Sequence, residues 1–191
     1  MEMMVAIAVF SLVMVTAMSA LLNVIDANNK ARAIKTSINN VSFALEGISK
    51  DMRVGTEYAC GNNNIIDNTP DCPTGGNIIR YRSIRADVES SGIKRKYAYF
   101  KFSNKQMYSC FQKGTNNCIN DADFSPITST EVEITKATFY VLGVTNSTAA
   151  TNKTQPRMIL TIRGVAGAKT KIQSTFDLQT TVSQRLRVKT I

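Results

Sequence analysis

Histidine and tryptophan are absent from this chain, and proline occurs four times in 191 residues. Without histidine there is no imidazole general base near neutral pH and no imidazole metal ligand. No nucleophile–base set, Gly-rich phosphate loop or paired-carboxylate motif stands out either. Asp121 with Asp123 and Glu131 with Glu133 are (i, i+2) pairs, and only the first is a conceivable calcium site. The expectation is a chain that is not an enzyme, with no cofactor and no bound metal. Charge is also missing where it matters. Met3–Leu22 (MMVAIAVFSLVMVTAMSALL) contains no charge, no glycine and no proline, and Glu2 is the one charge ahead of it.

Twenty helical residues at ~1.5 Å rise span ~30 Å, the thickness of a bilayer's hydrocarbon core. The stretch is too long for a signal-peptide core and lacks a basic leader and an A-x-A site, so it reads as retained. Lys30, Arg32 and Lys35 follow it and nothing basic precedes it. The positive-inside rule would then put the rest of the chain in the cytoplasm. A basic leader removed from the N-terminus would reverse that reading. A carboxylate carried into the membrane costs several kcal/mol unless it is paired or stays at the interface. Glu2 therefore either sits at a membrane face, favoured by the helix dipole, or meets a positive charge.

Helical periodicity continues past the apolar stretch. Ala27, Ala31, Ile34, Ile38, Val41, Leu45, Ile48 and Met52 alternate steps of four and three, an a/d stripe. No proline interrupts residues 2–54, and Gly55 follows Arg53 as a C-cap candidate. One helix of about 53 residues, roughly 80 Å long, is predicted. Its apolar half (1–25) would span a membrane or fill a filament core, and its amphipathic half (26–54) would cover a sheet. Coiled-coil pairing is the competing use of that stripe. Ser11, Thr16 and Ser19 are hydroxyls that can bond backbone carbonyls and bend the apolar half.

Residues 55–191 read as a β-rich domain. Strands are predicted at 77–84, 93–103, 106–112, 132–141, 158–163 and 171–184, with Asn104-Lys105 as a tight turn and GVAGAK (164–169) as a hairpin turn. The last strand alternates apolar and polar residues, which marks an antiparallel sheet with one dry face. Segments 60–76 and 143–155 read as polar loops. Glycosylation tripeptides at Asn146 and Asn152 fall in the second, and one at Asn40 falls on the helix. The fold class is α+β: a long N-terminal helix on an antiparallel sheet.

The four cysteines are Cys60, Cys72, Cys110 and Cys118. Short-loop bridges Cys60–Cys72 and Cys110–Cys118 are the natural pairing among three connectivities, with reduced structural thiols as the alternative. Bridges place the domain outside the cytoplasm. The formal net charge is +9 and unevenly spread. Residues 80–105 carry +6, residues 163–191 carry +5 and residues 107–140 carry −2. Solvated strand faces explain this simply. Opposite faces could also attract each other between copies. Arg80, Arg82, Lys94, Arg95 and Lys96, interleaved with Tyr97, Tyr99 and Phe100, are the candidate polyanion-binding residues, with DNA as a subsidiary partner.

The N-terminus, Glu2-Met3-Met4-Val5-Ala6-Ile7-Ala8-Val9-Phe10, resembles that of type IV pilins and pseudopilins. That family begins F-T-L-I/V-E after a leader ending in glycine is removed, and the first residue is N-methylated. The match covers about 25 residues; beyond it the likeness is one of layout. Leu45–Arg53 (LEGISKDMR) also resembles J-type minor pseudopilins, and Ser183–Arg185 resembles pilin-like ends. Relative to the pattern the chain starts about three residues late, with Met1 where Ile or Val is commoner. The resemblance implies that Glu2 meets the terminal ammonium of a neighbouring subunit, and that Met1, Glu2, Met3, Ala6, Val9, Phe10 and Val13 carry assembly. It further implies a homo-oligomeric helical filament, an inner-membrane assembly machinery as partner, and a membrane-held precursor that ends in a cell-surface fibre. A minor pilin or pseudopilin that primes or caps a secretion or competence system is the alternative. A third is a membrane-anchored β-domain that never polymerises.

Overall fold

The computed structural model describes residues 2–62, 65–66, 71–89, 92–112, 118, 120–130, 132–144, 155–166 and 173–185; for 65, 84–89 and 92–96 this is the backbone alone. Helix α1 (Glu2–Val54) is uninterrupted over 53 residues. The strands are β1 (Thr56–Asn62), β2 (Ile65–Ile66), β3 (Cys72–Gly76), β4 (Ile78–Glu89), β5 (Gly92–Ser103), β6 (Gln106–Phe111), β7 (Ser125–Pro126), β8 (Val132–Leu142), β9 (Arg157–Ala166) and β10 (Ser174–Ser183). A one-turn 3-10 helix, Asp121–Asp123, precedes β7. The class is α+β, with every strand pair antiparallel.

Two sheets form where one was expected. The first has the order β2-β1-β4-β5-β6-β7 and the second β10-β9-β8-β3. The difference arises in segment 60–76, whose Gly-, Asn- and Pro-rich composition lacks strand alternation. Tertiary contact makes strands of parts of it. Gly76 lies so close to Gly61 that an added Cβ would meet the Gly61 carbonyl oxygen at 2.2 Å. Only two glycines permit that approach of β1 and β3. Cys60 on β1 and Cys72 on β3 pair with Cα atoms 6.0 Å apart, so this bridge ties one sheet to the other.

One core serves both sheets and the helix. Val41, Ile48 and Met52 of α1 meet Ile79, Phe100, Met107, Phe139, Leu160, Phe176 and Val182. Burial of such side chains stabilises by about 1.5–3 kcal/mol each. α1 lies mainly across β10 and β9 and touches β4 and β8. The buried line on α1 is Ser37, Val41, Ala44, Ile48 and Met52. It departs from the heptad stripe: Ile38 and Leu45 are half-buried, and Ala27 and Ala31 are exposed. A straight helix has 3.6 residues per turn, so a strict 3.5 repeat drifts off a sheet that does not supercoil with it.

Strand boundaries hold at the β5–β6 hairpin, but β4 runs five residues past its predicted end to Glu89, and one predicted turn is displaced. Asn104 (φ 45°) and Lys105 (φ 62°) form the predicted two-residue turn with the left-handed pair that type I′ requires. The predicted GVAGAK turn is displaced. Gly164, Val165 and Ala166 pair with Phe176, Thr175 and Ser174 inside the β9–β10 hairpin. Gly164 is there for space: a Cβ would come within 2.5 Å of the Phe176 ring and 2.8 Å of the Glu133 carbonyl. Residues 167–172 lie outside the described residues, as do Met1, Glu131, Asn146 and Asn152.

Candidate functional site

The first half of α1 leaves the core altogether. All fifteen large apolar side chains from Met3 to Ile25 are exposed, from 47% at Ile25 to 80% at Met3. Contiguous apolar surface on this scale marks a membrane or protein contact. The segment is long and apolar enough to cross a membrane. Ser11 and Thr16 hide their hydroxyls by donating to carbonyls one turn back, Ser11 to Ile7 at 2.8 Å and Thr16 to Val13 at 2.9 Å. Neither hydroxyl then needs water or a partner.

Glu2, Val5, Ala6, Val9, Phe10 and Val13 share one side of this half and form a shallow apolar furrow with the carboxylate at its end. Five of the seven residues singled out for assembly lie on it. Met3 is exposed off that line, and Met1 lies outside the described residues. Val5 joins the set because it follows Glu2 by three residues on the same face.

The second half is clamped to the domain at its C-terminus. The Gly55 N–H donates to the Asp51 carbonyl at 3.0 Å, and the Arg185 N–H donates to the Arg53 carbonyl at 2.8 Å. The Tyr58 hydroxyl shares its proton between the Met52 carbonyl and the Gly55 carbonyl, 2.9 Å from the latter. Tyr81 donates to the Asp51 carboxylate at 3.2 Å. The carbonyls a helix leaves orphaned are thus met by three elements. Burial pushes the Tyr58 hydroxyl well above the usual tyrosine range. Gly55 does not adopt the left-handed cap conformation. It is needed because a Cβ would sit 2.6 Å from the Tyr81 ring. Sequence reasoning missed Tyr58 and Arg185, since a strand tyrosine and a terminal backbone amide carry no capping signature.

The disulfides have separate jobs. Cys60–Cys72 joins the sheets, as above. Cys110 on β6 pairs with Cys118, Cα atoms 5.8 Å apart, and both are buried with Ile78 and Phe124 in a small second core. Lys101 reinforces this cover. Its side chain is 7% exposed, and its ammonium meets Asp121 at 2.5 Å and lies 5.1 Å from the Phe124 ring. Asp123 accepts from the Asn120 N–H at 3.1 Å. The Asp121/Asp123 pair therefore serves a lysine and a turn, and no metal-type cluster forms among the described residues.

Arg80 and Arg82 do come together. Their guanidinium carbons lie 4.7 and 5.5 Å from the Tyr97 ring centroid. Glu57 takes up part of that charge, 2.6 Å from Arg82, and accepts from the Tyr97 hydroxyl at 3.0 Å. Lys94 and Arg95 sit opposite Asp87 and Ala86, at the far end of the β4–β5 ribbon, with Lys96 next along. The register therefore spreads the five candidate polyanion ligands along the ribbon. Tyr99, opposite Arg80 on β4, packs on the second core. Burial pushes its hydroxyl up, and Arg80 partly opposes this.

The candidate site is thus the exposed apolar half of α1, held out from the domain by a clamped second half. No known family model, no curated protein and no solved structure matches this chain.

Proposed function

We propose that the chain is a structural subunit of the type IV pilin kind, polymerising through the apolar half of α1 into a filament. One observation carries this reading: the helix that anchors the domain core runs without a break into fifteen exposed large apolar side chains. Before assembly a membrane covers them. Exchange of lipid for a neighbouring helix brings no hydrophobic gain, because lipid tails are equally apolar. Packing and polar contacts must drive it. Ala6, Ala8, Ser11, Ala17, Ser19 and Ala20 permit close approach, and Glu2 supplies a carboxylate that relieves its desolvation by meeting a cation on a neighbour. The clamped C-terminus of α1 then carries each domain to the filament surface in one orientation. Both cysteine pairs suit an extracytoplasmic domain, held at the cytoplasmic membrane first and on a cell-surface fibre later.

The test is Glu2→Ala in the full chain. The variant is expected to partition with the membrane like the parent, while the yield of sheared filaments falls at least tenfold. Undiminished yield would remove Glu2 from assembly. Failure of the parent chain to leave the membrane fraction would favour an anchored β-domain. Copy number per filament separates a main subunit from a minor, tip-located one.

A further inference from the structure

One helix cannot cover two sheets. α1 closes the second sheet and leaves a groove of about 580 Å³ between itself and the inner face of the first. Phe43, Ala44 and Gly47 form the helix side, and Tyr81, Phe100 and Phe111 form the sheet side. Tyr81 and Phe100 stack with centroids 5.7 Å apart, so the floor is flat and aromatic.

Two residues at this groove have no rationale in the single subunit. Gly47 is the only glycine in α1, and glycine is the poorest helix former after proline. A Cβ there would meet nothing within 4 Å, so no contact within the subunit requires the glycine. Phe43, one turn earlier, is 79% exposed, the one exposed large hydrophobic residue described outside the apolar half. A hollow at Gly47 beside a projecting aromatic ring suits a partner's side chain pressed against the helix backbone.

We propose that this groove is the docking site for the Val5–Val13 face of a second copy's apolar helix, with Phe10 seated over Gly47. The inference rests on the filament reading above. The same chain presents the missing counterpart, an unburied apolar helix face with Phe10 standing beside small Ala6. Charge agrees as well. With the helices parallel and Phe10 over Gly47, Glu2 lies level with Asn39, about one turn from the exposed Lys35. The carboxylate at the end of the furrow then has a lysine within reach on the neighbour's α1.

Full-length protein carrying a benzophenone photocrosslinker at position 43 tests the contact, with cross-linked peptides identified by mass spectrometry. Cross-links into residues 5–13 of another copy are expected. Filaments whose cross-links map elsewhere, or only to lipid, overturn the groove and leave the filament reading standing. Intermolecular cross-links to 5–13 without any filament uphold the groove and overturn the filament reading. Gly47→Leu gives a second measurement, because leucine suits the helix and enters open space. Its melting temperature in detergent should equal or exceed the parent's, while filament yield drops at least tenfold. Normal yield from a well-folded Gly47→Leu would overturn the docking site.

Discussion

From Met3 to Ile25 every large apolar side chain of α1 is at least 47% exposed, whereas Val41, Ile48 and Met52 are at most 1% exposed. The two halves share one backbone and differ in what surrounds them. The second half has a wet face and a dry face, so a protein sheet can satisfy it. The first half is apolar on every side and needs an apolar environment all round. Rigidity links the halves. With no break in the helix and its end held by Tyr58 and Arg185, the position of the first half is transmitted to the domain.

Paired substitutions test that contrast most directly. Ile48→Ala is expected to cost about 2–5 kcal/mol in domain stability, through lost burial and an unfilled cavity. Leu12→Ala should leave the unfolding transition of the domain within about 0.5 kcal/mol of the parent. Equal losses in a denaturant titration in detergent would show that the halves are energetically coupled. Gly164→Ala comes next, at about 1–3 kcal/mol, because its Cβ would press on Phe176 and on the β8 backbone.

Tyr58→Phe probes the clamp. It keeps the ring but strips the Met52 and Gly55 carbonyls of their donor, for about 1–3 kcal/mol. The same residue predicts a response to pH. Burial holds its hydroxyl above the usual tyrosine value of about 10, so its contribution is complete below about pH 10 and fades as pH rises beyond it. Stability measured from pH 9 upward should fall less steeply in Tyr58→Phe than in the parent. Lys50→Ala has the smallest effect, a denaturant midpoint indistinguishable from the parent's, since it removes one exposed, solvent-screened (i, i+4) pair with Glu46. There the Lys50 ammonium holds the Glu46 carboxyl below its usual range.

Much of the layout was legible in residue order. The helix limits and the Asn104-Lys105 turn follow from local chemistry. So does the inward face of β10, where Phe176 and Val182 are buried while Asp177 and Gln179 are exposed. The misread parts depend on distant partners. Gly164 resembles a turn residue until Phe176 is opposite it. Segment 60–76 resembles a loop until β8 receives Cys72 and Gly76. At the candidate site, the charge-free stretch after Glu2 was visible in residue order, and the assembly residues on it followed from the resemblance to pilins. The groove at Gly47 was not, because a hollow between a helix and a sheet has no local pattern.

By itself, then, the sequence determined a 53-residue helix with one all-apolar half, a β-rich domain and cysteines spaced for short bridges, because propensity, periodicity and loop length act over a few residues. Tertiary structure alone decided the second sheet, the clamp on the last turn of α1, the dispersal of the basic residues along β4 and β5, and the groove beside Phe43. Those depend on which distant surfaces meet, and packing resolves that only when the whole chain competes for the same core.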